Sequence, residues 1–326
     1  MGRKRKGRAI SGIMVVDKPA GMTSNAVLQH VKRIYGAAKA GHTGALDPIA
    51  TGVLPLCLGE ATKFSQRLLE SDKRYTTRIQ LGESRDTADI EGAVLDTASI
   101  PELSSADIEA VLQQFKGPIT QVPPMYSALK HQGKKLYELA REGKDFDIKS
   151  KARQVVIHDI KLLDFADTWI DLDVTCSKGT YIRSLAEDVA KALGSLGYVA
   201  RLRRLAAGPY NEDMMYSLQQ LETLKSDNPD SYHALDSELL PIHTALPDVP
   251  IVTISLKQAY DLQFGRAITV SDAGGKPMAQ VQLRLLHEQW DLLLGVGELN
   301  ADGVILPKRL LNIPELAQIL ASANLV

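Results

Sequence analysis

Hydrophobic and polar positions change period repeatedly along this 326-residue chain, and the changes mark its elements. Residues 12–16 form a short apolar strand ended by Asp17-Lys18-Pro19. Ser24 then caps a helix whose Val27, Leu28, Val31 and Ile34 fall on one face, with Gly36 closing it. Residues 41–52, with Gly41, Gly44, Pro48 and Gly52, have neither helical nor strand periodicity and read as a structured loop. A buried strand is expected over 53–58 and a short helix over 61–69. Residues 74–81 alternate with period two, setting Tyr75, Thr77, Ile79 and Leu81 against Arg74, Thr76, Arg78 and Gln80. A polar loop follows over 82–92. A helix over 106–115 has Ile108, Val111, Leu112 and Phe115 at core spacing, and another is expected near 135–141. Strands follow over 154–165 and 169–176, then a Lys178-Gly179 turn, a helix through Leu185, Val189 and Leu193, and a strand over 199–206.

This order lacks the regular alternation of a doubly wound fold. It predicts an α+β fold with a mixed, mainly antiparallel sheet and peripheral helices. From 226 to 249 the composition shifts to Asp, Ser, His and Pro, which reads as a linker or domain boundary. Beyond it, short strands over 251–254, 278–285 and 290–296 between glycine-rich turns predict a small β-barrel over 250–314. Residues 315–326 would be a tail or helix, and 1–11 a basic tail.

Composition adds exclusions. With 44% hydrophobic and 24% charged residues, the chain has the make-up of an ordinary soluble protein. No apolar run approaches the ~20 residues that span a bilayer. The basic start is followed by too short an apolar stretch for a secretory signal, so a cytoplasmic protein is expected. Cys57 and Cys176 lie in apolar strand-like segments without metal spacing and read as reduced core thiols. The net charge of −1 conceals basic clusters at 3–8, at Lys32, Arg33 and Lys39, at Lys73, Arg74 and Arg78, at Lys130, Lys134 and Lys135, and at Arg201, Arg203 and Arg204. If these share a face they would bind phosphates; otherwise they are scattered solvated side chains. Phosphate-loop, dinucleotide, zinc-deaminase, GxSxG and HExxH motifs are all missing, so no cofactor or metal is expected.

The segment Gly41-His42-Thr43-Gly44-Ala45-Leu46-Asp47-Pro48 closely resembles the catalytic motif of the TruB family of tRNA pseudouridine synthases. The resemblance extends, in order, to Asp17-Lys18-Pro19-Ala20-Gly21, Ser71-Asp72-Lys73-Arg74-Tyr75, Pro124-Met125-Tyr126-Ser127-Ala128-Leu129-Lys130, Ser177-Lys178-Gly179-Thr180-Tyr181-Ile182-Arg183 and Leu202-Arg203-Arg204-Leu205. It implies a pseudouridine synthase catalytic domain over 12–225 and a PUA-like RNA-binding domain over 250–314. It also implies isomerisation of uridine 55 in the T-loop of tRNA, by an enzyme needing no obligatory protein partner and acting as a monomer.

The resemblance makes Asp47 the catalytic carboxylate and places Arg183 beside it. Tyr75 would stack on the uracil and handle a proton at C5; Tyr181 and Leu202 would wall the pocket, and His42 would wedge into the RNA in place of the flipped base. The chemistry has its own logic. Breaking the N1–C1′ bond builds positive charge at C1′, which one ionised carboxylate can meet as nucleophile or electrostatic stabiliser; it could also remove a sugar proton. An arginine would keep that carboxylate charged in a dry pocket. Taken singly, the same residues have plainer readings: Asp-Pro starts turns, Tyr75, Tyr181 and Leu202 suit a core, and His42 suits a loop hydrogen bond. Two other functions fit the motifs, a synthase that takes its target from a guide RNA and a tRNA-folding chaperone.

Overall fold

The computed structural model describes residues 7–126, 130–131, 134–135, 147–227, 229–270, 276–287 and 290–323. In chain order the elements are β1 (Gly12–Lys18), α1 (Ser24–Ile34), β2 (Ala40–His42), β3 (Thr51–Leu58), α2 (Ser65–Leu69), β4 (Lys73–Leu81), β5 (Glu83–Arg85), β6 (Val94–Thr97), α3 (Ser105–Phe115), β7 (Gly117–Gln121), the short β8 (Lys130–His131) and β9 (Lys134–Lys135), β10 (Arg153–Ala166), β11 (Trp169–Cys176), α4 (Ile182–Ala192), β12 (Gly197–Ala207) and β13 (Tyr210–Asn211). Then come α5 (Leu218–Ser226), α6 (His233–Asp236), β14 (Ile251–Thr253), α7 (Leu256–Gln263), β15 (Ile268–Thr269), β16 (Met278–His287), β17 (Trp290–Leu299), β18 (Val304–Leu310) and α8 (Pro314–Ser322). Among the described residues no helix is long and apolar enough to cross a membrane.

A nine-stranded sheet runs β1-β3-β12-β4-β11-β10-β7, with β2 on β3 and β13 on β12. Only the β3–β12 pairing is parallel. The expected α+β fold with a mixed, mainly antiparallel sheet is what forms. Alternation on β4 turns Tyr75, Ile79 and Leu81 into a core that α3 and α4 cover with Ile108, Leu112, Leu185 and Val189. The other face of β4 is held by ion pairs, Arg74 with Asp173 and Arg78 with Asp171. These two arginines were expected among the basic clusters; cross-strand carboxylates on β11 neutralise them. Cys57 and Cys176 are buried free thiols.

The C-terminal sheet runs β14-β16-β17-β18-β15 around its own core. Leu293 and Val296 of β17 pack into a cluster with Ile13, Phe64 and Leu68, so this second sheet is docked against the first. Within 229–249, part of the expected linker, several side chains pack against the rest of the chain. Leu235 and Leu246 are buried, and Leu240 bridges to Ile13. Arg8, read as part of a basic tail, is tied down by an ion pair to Asp236 and lies 3.8 Å from the Tyr232 ring centroid. The polar loop over 82–92 instead leads through the β5–β6 hairpin. The helix expected near 135–141 lies largely outside the described residues, as do 1–6 and the side chains of Lys130, Lys134 and Lys135.

Candidate active site

The loop between β2 and β3 carries Asp47 and is fastened at several points. Thr43 bonds to the Pro55 carbonyl at 3.2 Å, and the Ser24 hydroxyl both accepts from the Leu46 N–H at 2.7 Å and donates to its carbonyl at 3.1 Å. Lys18, wholly buried at the end of β1, donates to the carbonyls of Pro19, Pro48 and Ala50 at 2.9, 3.1 and 2.6 Å. Gly52 closes the loop at φ +97°, where a Cβ would collide with the Arg204 carbonyl on the parallel neighbour β12. Buried Arg204 donates to Val53 O at 2.6 Å and Gly44 O at 3.3 Å. A loop fixed this way presents its carboxylate without reorganisation.

Arg183, in the first turn of α4, meets Asp47 directly. Its Nη2 donates to Asp47 Oδ1 at 3.2 Å. Nε lies 2.9 Å from Oδ2 but off-line for a hydrogen bond, so the pair is an ion pair with one aligned bond rather than a full fork. The rest of the guanidinium is anchored to Thr87 O at 2.8 Å and Tyr126 O at 3.0 Å, with Asp89 Oδ2 3.8 Å away. The Asp47 side chain is crowded by protein yet 38% exposed. Desolvation pushes its pKa up; Arg183 and Lys18 oppose that push, and the Asp89 charge adds to it.

The other expected residues gather around this pair to different degrees. The β4–β12 register sets Leu202 opposite Thr77 and Tyr75 opposite Arg204, and both Tyr75 and Leu202 join Leu46 and Ala50 in one cluster. The Tyr75 phenol is pushed up by burial, while a hydrogen bond and the charge of Arg204 pull it down. Tyr181 immediately precedes α4, two residues before Arg183. His42 is set apart at the end of β2; its Nδ1 is buried without a hydrogen-bond partner, and burial and Arg204 lower its pKa. The Arg201/Arg203/Arg204 cluster, expected as a surface feature, divides by strand alternation. Arg201 is exposed, Arg203 pairs with Asp17 and Glu212, and Arg204 points inward with Leu202.

Sequence reasoning missed two charged members of this site. Lys18 sat in a quoted motif without a role, and its burial on both faces of β1 is the signal it offered. Burial draws its ammonium down to about 8, against the charges of Asp47 and Glu91. Asp89 is 3% exposed and lies in an acidic stretch whose sequence shows no period. A cavity of about 340 Å³ lies away from Asp47, between α2 and the barrel, and Lys63, Arg67, Lys308 and Arg309 contribute to its lining. Among the described residues no group of three or more His, Cys, Asp or Glu could hold a metal.

The topology is that of the pseudouridine synthase fold, and its pinned loop carries an aspartate, Asp47, paired with Arg183. Residues 32–182 match the model of the TruB family pseudouridylate synthase N-terminal domain. Residues 183–247 match the tRNA pseudouridylate synthase B C-terminal domain, and 250–311 match the C-terminal domain of pseudouridine synthase II TruB. The chain is 45% identical to a tRNA pseudouridine synthase B of Chromohalobacter salexigens, over 97% of this chain and 99% of that one. It is 48% identical to one of Pseudomonas putida, over 94% and 98%. The chain belongs to the TruB family of pseudouridylate synthases. Among solved structures it is similar to a chain in a Cbf5-Nop10-Gar1 complex, with TM-score 0.68, 25% identity, and 92% of this chain and 84% of that one covered. A chain in an H/ACA RNP bound to a substrate RNA shares the fold, with TM-score 0.70, 20% identity, and 97% and 93% covered.

Proposed function

We infer that this enzyme isomerises a uridine of tRNA to pseudouridine, and that the uridine is residue 55 of the T-loop, with Asp47 as the essential carboxylate. The observation that carries the reading is the Asp47–Arg183 pair on a loop held by Lys18, Ser24 and Arg204. The relatives' shared name, tRNA pseudouridine synthase B, supports the substrate. The chain would act alone, as a cytoplasmic monomer recognising the T-arm. In this respect it differs from the similar chain found in a Cbf5-Nop10-Gar1 complex.

The reaction breaks N1–C1′ and forms C5–C1′; a proton leaves C5 and one is gained at N1, so no oxidant or reductant is consumed. The target base must first leave its loop to bring its C1′ against the carboxylate. Asp47 then meets the charge at C1′ as nucleophile or stabiliser, or takes a sugar proton, and Arg183 keeps it ionised. Tyr75 gives the detached uracil a flat face and its phenol handles the C5 proton. Tyr181 and Leu202 wall the pocket, and His42 fills the space the base vacates.

Asp47→Asn tests the reading, because the amide keeps the shape but not the charge. Loss of pseudouridine formation at position 55 with tRNA still bound is expected. Turnover within about tenfold of wild type would overturn Asp47 as the essential group.

A further inference from the structure

Tyr181 is held more firmly than its place before a helix requires. It has no side-chain cap of its own. Instead Gln121, wholly buried at the end of β7, grips its backbone from a distance of sixty residues in sequence: Gln121 Nε2 donates to Tyr181 O at 3.1 Å and Oε1 accepts from Tyr181 N–H at 3.0 Å. The stretch after Gln121 continues along the first turn of α4. Ser184 Oγ donates to Val122 O at 2.8 Å and Arg183 Nη2 to Tyr126 O at 3.0 Å. The ring is held as well, with the Arg153 guanidinium 4.7 Å from its centroid. Arg153 is the cross-strand neighbour of Gln121 in the β7–β10 register, and it donates to Gly179 O. Gly179 has φ +81°, and a Cβ there would stand 3.2 Å from the Arg153 guanidinium carbon.

We propose that Gln121 and Arg153 are positioning residues for the reaction, fixing Tyr181 and with it the first turn of the helix that carries Arg183. The proposal rests on the reading of Tyr181 as a wall of the uridine pocket. A neutral amide is suited to the task because it offers a donor and an acceptor in one planar group. An ionised carboxylate only accepts, so it would face the Tyr181 carbonyl without a proton to share; a protonated carboxyl restores both bonds. A wall held in place sets the angle of the uracil against the C1′ carbon, which acts on rate more than on affinity.

The experiment measures single-turnover pseudouridine formation, tRNA affinity and melting temperature between pH 5 and 9. Gln121→Met is expected to slow the reaction by about tenfold or more with affinity little changed. Gln121→Glu is expected to work near the wild-type rate at low pH and to fall away from it as the new carboxyl ionises. Total burial of position 121 holds that carboxyl above the ordinary glutamate range, and Arg153 on β10 and Arg183 on α4, charged groups on the elements it packs against, draw it back down. A Gln121→Glu to wild-type rate ratio that is flat with pH, or a Gln121→Met enzyme at the wild-type rate, overturns the proposal. Should both variants melt below the assay temperature, half-buried Arg153→Met decides. The same loss of rate at unchanged affinity is expected, and a wild-type rate overturns the proposal. Tyr181→Leu separates the two levels. A wild-type rate there overturns the pocket-wall reading itself, whereas a loss there with none at Gln121 or Arg153 overturns only the positioning proposal.

Discussion

Arg183 is the residue at which charge and geometry can be separated by substitution. Its guanidinium approaches both Asp47 oxygens, is anchored by two carbonyls, and is only 5% exposed. Arg183→Lys keeps the charge but replaces two separate nitrogens, Nη1 on Thr87 O and Nη2 on Asp47 and Tyr126 O, by a single shorter-reaching ammonium that cannot span them in the same geometry. Losing one charge-assisted hydrogen bond of about 1.5–3 kcal/mol should slow single-turnover pseudouridine formation by about 10- to 100-fold. Arg183→Met removes the charge. Unit charges ~4 Å apart attract by about 4 kcal/mol at an effective dielectric near 20, worth about three pK units. The Asp47 side chain is 38% exposed, and water screens the pair, so its pKa should move up by less than that unscreened attraction implies.

The direction of the pH dependence follows from the ionisation that the role proposed for Asp47 requires. Burial already holds its carboxyl above the ordinary aspartate range, so wild-type activity should fall on the acid side at a pH above ~3.9. In Arg183→Met the neutral acid persists to still higher pH, and the rate should recover as pH rises through the shifted value. In Arg183→Lys the acid limb should stay near its wild-type position while the plateau drops. The assay is the single-turnover rate against pH, with melting curves to show that each variant is folded. An Arg183→Met acid limb that coincides with that of wild type would refute the electrostatic link between the two residues.

Three further outcomes can be checked. Tyr75→Phe should bind tRNA normally, because the ring remains, yet lose turnover if the phenol handles the C5 proton; full activity would leave stacking as its only role. Glu187 on α4 is raised to about 7 by burial, with Asp188 adding to the shift and Arg183 opposing it. A carboxyl raised by folding favours the native state below its unfolded value and forfeits that advantage between about 4.5 and 7 as pH rises. Glu187→Gln should therefore melt higher than wild type at pH 8 by an amount near ~1 kcal/mol after solvent screening, with the advantage narrowing on acidification; an equal difference at all pH values contradicts this. Finally, Arg67→Glu with Lys308→Glu in the cavity beside the barrel should weaken tRNA binding and flatten its salt dependence if phosphates pass there, and an unchanged salt slope would remove that surface from the RNA path.

Much of this architecture was legible because burial follows period. The alternation of β4 announced which face Tyr75 joins, and the spacing of Leu185 and Val189 announced the helix that presents Arg183. What escaped depended on packing that no period records. Segment 226–249 has the composition of a linker, but Leu235, Leu240 and Leu246 find apolar partners at irregular intervals. Asp89 is fixed by its own turn, accepting from the Thr87 hydroxyl at 2.7 Å and the Glu91 N–H at 3.1 Å just after Ala88 at φ +59°. Such local bonds build a site without leaving a repeat in the sequence.

Arg204 shows where pattern and residue type disagree, and why the disagreement has a use. Strand alternation puts position 204 on the same inward face as Leu202, while its charge argues for solvent. The conflict is resolved by the carbonyls of Gly44 on the Asp47 loop and Val53 on β3, and by the phenol of Tyr75. The site thus holds three buried cations, Lys18 and Arg183 beside Asp47 and Arg204 beside Tyr75, where folding alone would favour apolar side chains. In the proposed reaction that expense has a destination. Cleavage of N1–C1′ sends electrons onto the uracil as positive charge gathers at the sugar, so a pocket with one ionised carboxylate facing C1′ and cations behind its base-facing tyrosine stabilises both halves of the separated charge.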